Sequence, residues 1–151
     1  MSQNDVNPYL KTRVMTATPE ELHLMLYDGA IKYTGQAREA IAARDIQASY
    51  DLLVRAQNIV LELLGGLKHD LAPELCGKQA ALYNFIYRRL VEANLHKDVA
   101  ALDDAIKILH YCRETWILLM GKLAEGKHPA TGPAAEAGAQ PAEPVSIDLE
   151  G

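Results

Sequence analysis

The sequence predicts an all-α protein, an antiparallel up-down four-helix bundle between a short N-terminal segment and a disordered C-terminal tail. Two observations predict it. Four stretches of similar length carry apolar residues at helical spacing, each introduced by a proline or a capping residue. The segments between them are short, which makes consecutive helices antiparallel neighbours. The chain of 151 residues, nearly half of them apolar, fits one domain with a real core.

The first helix is predicted over residues 19–43. Thr18 and Glu21 have the spacing of a capping box, and Pro19 suits the first helical position. One apolar stripe has ordinary core spacing, and it consists of Leu22, Leu26, Gly29, Tyr33, Ala37 and Ala40. A second stripe, formed by Leu24, Tyr27 and Ile31, points to roughly the opposite side. Either a partner covers this second stripe, or the helix is central and both stripes are core.

The other three helices are predicted over residues 46–67, 73–96 and 99–124. Asp45 and Asp98 are suited to cap the second and fourth, and Pro73 suits the first turn of the third. The second helix has a wide apolar surface, with Leu52 and Ile59 on one flank and Val54 and Leu61 on the other. In the third helix, Tyr87 and Val91 lie off the core stripe. These residues exceed what one core requires.

Two terminal segments flank the bundle domain of residues 18–125. In residues 1–17, Asn7-Pro8-Tyr9 predicts a turn or an extended piece, since a residue before proline avoids the α region. The apolar anchors of this segment are Val6, Tyr9, Leu10 and Val14. Residues 126–151 are rich in Ala, Pro, Gly and Glu and are predicted to be disordered. Within them, residues 145–149 (Val-Ser-Ile-Asp-Leu) are either a docking peptide or without specific role.

Composition disfavours several classes of function. The net charge of −5 without a basic block disfavours nucleic-acid binding, and no apolar run reaches the roughly 20 residues needed for membrane insertion. The N-terminus has no pattern of a secretion signal, so a cytoplasmic protein is expected. Di-iron bundles use Glu-x-x-His pairs inside two of their helices. This chain has two pairs with that spacing, but Glu20–His23 lies in a capping turn and Glu125–His128 lies at the junction with the tail. We therefore expect no catalytic residue, metal or cofactor, and an enzyme is the weakest alternative.

Several motifs, in matching order over roughly residues 5–120, resemble one family. They are Asn7-Pro8-Tyr9, Thr16-Ala17-Thr18-Pro19-Glu20-Glu21-Leu22, Leu26-Tyr27-Asp28-Gly29-Ala30-Ile31, Ala56-Gln57, Ile59-Val60-Leu61-Glu62-Leu63, Leu82-Tyr83, Tyr87-Arg88-Arg89-Leu90-Val91-Glu92-Ala93-Asn94 and Thr115-Trp116. Together they resemble the flagellin-specific export chaperones, the FliS family of bacterial flagellar type III secretion.

The resemblance implies a cytoplasmic, non-enzymatic chaperone. Such a protein would bind the disordered C-terminal segment of flagellin, prevent its premature polymerisation and keep it competent for the type III export gate. An N-terminal cap over part of the cargo site is also implied. An anti-sigma factor or another flagellar regulator is a further candidate partner. With the surplus apolar residues, the resemblance gives these candidate flagellin-binding residues: Tyr9, Leu10, Leu24, Tyr27, Ile31, Leu52, Ile59, Tyr87 and Val91.

A homodimeric regulatory or structural bundle without flagellin cargo is the alternative. An isologous dimer would hide the same apolar stripes equally well. A cargo groove in a monomer should bind a flagellin peptide without a change in protomer stoichiometry, whereas a dimer interface should compete with that peptide.

Overall fold

The computed structural model describes residues 7–68 and 70–127. This part of the chain contains five α-helices and no strand. The helices are α1 (Pro8–Thr16), α2 (Pro19–Ala42), α3 (Ile46–Gly65), α4 (Pro73–His96) and α5 (Val99–Lys127).

Helices α2 to α5 form the bundle. Each packs against its neighbours in the sequence, and α5 packs back against α2, so the four helices close into a ring. Short connections between helices of similar length make consecutive helices antiparallel. The predicted all-α bundle is confirmed, and the ring gives four lateral faces, one between each adjacent pair of helices.

The predicted caps fix where the bundle helices begin. The Thr18 hydroxyl accepts a hydrogen bond from the Glu21 N–H at 3.0 Å, and Glu21 Oε1 accepts from the Thr18 N–H at 3.0 Å. Asp45 Oδ1 accepts from the Ala48 N–H at the start of α3. Asp98 accepts from two N–H groups of the first turn of α5. Each side chain satisfies donors that a helix start leaves unpaired.

Replacing Thr18 by alanine is expected to lower the free energy of unfolding by about 1 kcal/mol, because one first-turn N–H of α2 loses its acceptor. Urea denaturation measures the change. Thr12→Ala is the control: Thr12 lies inside α1 and caps no bundle helix, so its midpoint should stay close to that of the wild type. Equal midpoints for all three proteins would contradict a stabilising role for the cap.

The core lies along the bundle axis, and α2 contributes mainly small residues to it. Ala30, Thr34 and Ala37 are fully buried. A Cβ added at Gly29 would lie 3.2 Å from Ile59 Cδ1, so α2 and α3 approach closely at this level. Apart from Tyr27 of α2, the larger core side chains come from the other three helices, and they include Leu53, Val60, Tyr83, Ile86, Leu90, Leu102 and Leu109. Small residues in α2 thus allow bulky neighbours to pack beside it.

The N-terminal segment differs from its prediction. Asn7-Pro8-Tyr9 was expected to be a turn or extended, but α1 begins at Pro8. Asn7 itself is non-helical, as a residue before proline should be, and its side-chain oxygen accepts from the Tyr9 N–H at 2.8 Å. The dipeptide therefore starts a helix, with Asn7 as the cap and Pro8 at the first helical position.

Three helix ends also shift by a few residues. The helix predicted over 19–43 ends at Ala42, and that over 46–67 ends at Gly65, where Gly66 follows. The last helix continues to Lys127 rather than ending at 124. Residues 126 and 127, predicted as the start of the disordered tail, are therefore helical, and residues 128–151 lie outside the described part of the chain.

Candidate functional site

Tyr27 is a core residue, so its predicted position on an outer apolar stripe is wrong. Its side chain is 2 % exposed, and its hydroxyl shares a hydrogen bond of 2.5 Å with that of Tyr83 on α4, which is also buried. Burial raises the pKa of Tyr27 and raises the pKa of Tyr83 to about 12. Both phenols therefore remain neutral hydrogen-bonding groups that join α2 to α4 across the bundle.

His23 extends this buried contact toward the end of the bundle. Its Nε2 lies 3.1 Å from the Tyr27 hydroxyl, and its ring centroid lies 4.2 Å from that of Trp116 on α5. The Trp116 indole N–H donates to the Glu20 carbonyl oxygen at 3.2 Å. Burial lowers the pKa of His23. The imidazole acts here as a neutral packing group between α2 and α5.

The stability of the bundle should fall as the pH drops below about 6.5, the ordinary pKa of histidine. His23 has a lower pKa when folded, so the unfolded chain binds a proton first and protonation favours unfolding. The contribution is fully present above that pH. Thermal melting of the wild type and of His23→Gln at several pH values measures it, and the variant should show the smaller acid-side decrease. Parallel pH profiles would contradict this role.

Leu24 and Ile31 lie on the side of α2 that turns toward α5. Between them in the sequence, Asp28 accepts a hydrogen bond from Arg113 Nε of α5 at 2.5 Å. Both apolar residues are half-buried, and Ile31 packs against the core cluster. Only part of each side chain is therefore accessible on this face, beside the Asp28–Arg113 ion pair.

Leu52 and Ile59 belong to α3 and lie at its junction with α2, on the side of α2 away from Leu24 and Ile31. Ile59 is the side chain nearest to Gly29. Both residues are half-buried and pack against the core cluster. Their wide apolar flank is therefore used largely for joining α3 to α2, and it is a separate surface from that of Leu24 and Ile31.

Tyr87 and Val91 lie at the junction of α3 and α4. One turn further along α4, Asn94 donates to Gln57 Oε1 of α3 at 3.4 Å. Residues three and four apart share one side of a helix, so Tyr87, Val91 and Asn94 line this junction from α4. From α3, three apolar residues flank Gln57 at the same spacing: Tyr50, Val54 and Leu61. We call the five apolar residues, Tyr50, Val54, Leu61, Tyr87 and Val91, the α3–α4 face.

Sequence reasoning missed the two most accessible members of this face. Tyr50 is 52 % exposed and Leu61 is 46 % exposed. The apolar spacing of this helix puts Tyr50 at the centre of its apolar surface and Leu61 on one flank, so neither is a predicted contact. The signal that identifies them is their spacing from Gln57, at i−7 and i+4, once Gln57 is known to meet Asn94. The sequence alone does not show that polar pair.

Helix α1 carries Tyr9 and Leu10. None of its nine residues is buried, and Tyr9 is 70 % exposed. Leu10 and Val14, one turn apart, are less exposed, at 40 % and 44 %. The structure therefore does not place the Tyr9 ring on the apolar surface of the bundle, and α1 is a short exposed helix that precedes the start of α2.

The described residues offer little for catalysis or metal binding. Within 7–68 and 70–127, no three His, Cys, Asp or Glu side chains are grouped so as to hold a metal ion. Cys76 and Cys112 are buried and unbonded, and burial raises the pKa of Cys112 to about 11. No helix in this part of the chain is long and apolar enough to span a membrane. The notable chemical feature is apolar surface between the helices.

Comparison with known proteins gives consistent results. The family model of the flagellar protein FliS matches residues 1–123. The chain is 35 % identical over 130 residues to the flagellar secretion chaperone FliS of Bacillus subtilis (strain 168), covering 86 % of this chain and 96 % of that protein. It is 32 % identical over 108 residues to the protein of the same name in Salmonella typhimurium, covering 71 % and 80 %.

A solved structure titled as a crystal structure of a flagellar chaperone from bacteria shares the fold. The TM-score is 0.65 at 19 % identity, with 76 % of this chain and 93 % of that chain covered. At this identity the likeness supports the helical bundle alone, whereas the sequence matches carry the family. The relatives are named as chaperones, which agrees with a protein that is not an enzyme. On the family match and these identities, the chain belongs to the FliS family of flagellar secretion chaperones.

Proposed function

We propose that this protein binds the disordered C-terminal segment of flagellin in the cytoplasm, prevents its premature polymerisation and keeps it competent for the type III export gate. The observation that carries the proposal is the α3–α4 face, where Tyr50 and Leu61 remain about half exposed in the folded bundle. Apolar side chains grouped on one side of a soluble protein are typical of a partner site.

The shape of the face suits a helical cargo. It runs lengthwise between two antiparallel helices, so an amphipathic helix can lie in it with apolar residues at i, i+3, i+4 and i+7. A segment that orders on binding loses conformational entropy and needs a large contact area in return. Leu24 and Ile31, on the face between α2 and α5, supply a second strip of apolar contact for a cargo long enough to reach both.

Binding of a flagellin C-terminal peptide, followed by calorimetry and light scattering, tests the proposal. We expect saturable binding to a single protomer, with the helical content of the peptide rising on binding. A peptide that does not bind would contradict the proposal. A protein that is dimeric without peptide, and becomes monomeric as peptide is added, would indicate instead that the apolar faces form a dimer interface.

Replacing Tyr9 by alanine should weaken cargo binding several-fold while leaving the melting temperature unchanged. The side chain is 70 % exposed in α1 and contributes little to the folded bundle, whereas tyrosine is a favoured anchor at interfaces. Titration of the flagellin peptide with both proteins measures the effect. Lys11→Ala is the matched control in the same helix. Tighter binding by Tyr9→Ala would show that α1 competes with the cargo rather than contacting it.

A further inference from the structure

An apolar cleft lies between α4 and α5, apart from every residue discussed above as a cargo contact. Its volume is about 750 Å³, and its lining is Lys78, Ala81, Leu82, Phe85, Ile108 and Tyr111. Phe85 is the only phenylalanine of the chain, and Tyr111 is 58 % exposed. Leu118, two turns beyond Tyr111 on the same side of α5, is 67 % exposed. Leu118 is thus a further exposed apolar residue on this side of α5, separated from Tyr111 by the turn of Glu114 and Thr115.

Two lysines lie beside the cleft and Leu118. The acidic residues on the same sides of these helices are Glu74, one turn before Lys78, and Glu114, which is paired with Arg113 at 3.4 Å. Lys78 lines the cleft itself. Lys122 follows Leu118 one turn later on the same side of α5 and is exposed. At the other end, Arg89 is paired with Asp104 at 2.8 Å, so its charge is neutralised within the bundle. A ligand that matches the cleft therefore has apolar side chains and acidic groups close together.

We propose that the occupant of this cleft is residues 145–150 of the same chain. Their sequence, Val-Ser-Ile-Asp-Leu-Glu, alternates apolar residues with polar or acidic ones. In an extended conformation, Val145, Ile147 and Leu149 fall on one side and can enter the cleft. Asp148 and Glu150 then remain at the rim of the cleft. A lysine side chain can reach their carboxylates there while its methylene stem covers apolar surface.

The length of chain between α5 and this segment fits the distance. Helix α5 carries the chain about 24 Å from the level of Tyr111 to Lys127, at 1.5 Å per residue. Residues 128–144 must cover that distance in the reverse direction. A flexible chain of this length has an average end-to-end distance of about 23 Å, and its full extension is about 56 Å.

Because the segment is tethered, a weak contact is enough to cover the cleft. A short flexible connection gives an effective concentration of the order of millimolar. The proposed contact is independent of flagellin, since its residues are separate from the α3–α4 face. It gives residues 145–150 a role in covering the apolar cleft between α4 and α5.

Paramagnetic relaxation tests the placement in the full chain. Cys76 and Cys112 are 5 % and 7 % exposed, so a spin label reacts selectively with the new thiol of Ser146→Cys. We expect loss of amide signals around Phe85 and Tyr111, with signals around Leu61 retained. Unchanged signals at the cleft would overturn the proposal. Mixing labelled chains with isotope-enriched unlabelled chains is the control, and signal loss in the latter would assign the cleft to a second copy.

A charge exchange gives an independent test. Lys78→Glu and Asp148→Lys, each in the spin-labelled chain, should each reduce the signal loss at Phe85 severalfold, and the two together should restore it. Lys32→Glu, the same charge change on α2, should leave it unchanged. Equal signal loss in all four variants would show that the acidic residues do not recognise the cleft. The flagellin titration is read separately, so failure here leaves the cargo proposal standing.

Discussion

Replacing Tyr27 by alanine should lower the free energy of unfolding by about 3–5 kcal/mol, the cost of removing a buried aromatic side chain. Tyr27 is 2 % exposed, and its hydroxyl joins His23 and Tyr83 in one hydrogen-bonded contact. The truncation leaves a cavity between α2 and α4 and removes the buried partner of the Tyr83 hydroxyl. Equilibrium denaturation in urea, monitored by circular dichroism, measures the loss.

Two further variants separate the parts of this effect. Tyr27→Phe keeps the ring and removes only the hydroxyl, so we expect a loss of about 1–3 kcal/mol from the unsatisfied Tyr83 group. Leu24→Ala, one turn earlier and half-buried, should cost less than Tyr27→Ala. If Tyr27→Ala instead kept full stability and lost flagellin binding, the original assignment of Tyr27 to the cargo surface would be right and the buried position wrong.

Local signals explain why the bundle could be predicted. Thr18, Asp45 and Asp98 cap their helices with bonds to nearby N–H groups, and such contacts depend on only a few neighbouring residues. Apolar spacing then fixes one buried side for each helix. The prediction for Asn7-Pro8-Tyr9 was wrong because the same residues that disfavour a helix at position 7 also favour its start at position 8.

The candidate site could be predicted only in part, because it depends on how the helices are arranged around the ring. Helix α2 packs against both α3 and α5, so its buried arc is wide enough to include Tyr27. The alternative that both stripes of this helix are core is therefore right for Tyr27. Similarly, Ile59 and Val91 both lie outside the core stripes of their helices, but they end up at different junctions. Ile59 meets Gly29 of α2. Val91 lies one turn from Asn94, which contacts Gln57 of α3.

Replacing Leu61 by aspartate should weaken binding of the flagellin segment by more than about 2 kcal/mol, or roughly 30-fold in Kd. Leu61 is 46 % exposed on the α3–α4 face, so a charge there can stay hydrated in the free protein. On cargo binding the carboxylate would lose water against apolar side chains, which is costly without a partner. Val91→Asp, on the other helix of the same face, should act in the same direction. Calorimetric titration with the flagellin peptide measures both.

Leu118→Asp is the matched control for this prediction. It places the same charge on another exposed leucine, on α5, away from the α3–α4 face. Its cargo affinity should stay within about twofold of the wild type, and the helical signal should be unchanged in all three variants.

Ile31→Asp tests the second strip, formed by Leu24 and Ile31: a loss comparable to that of Leu61→Asp would show that the cargo reaches both faces. Retained affinity in Leu61→Asp, with lost affinity in Ile31→Asp, would place the cargo between α2 and α5 instead.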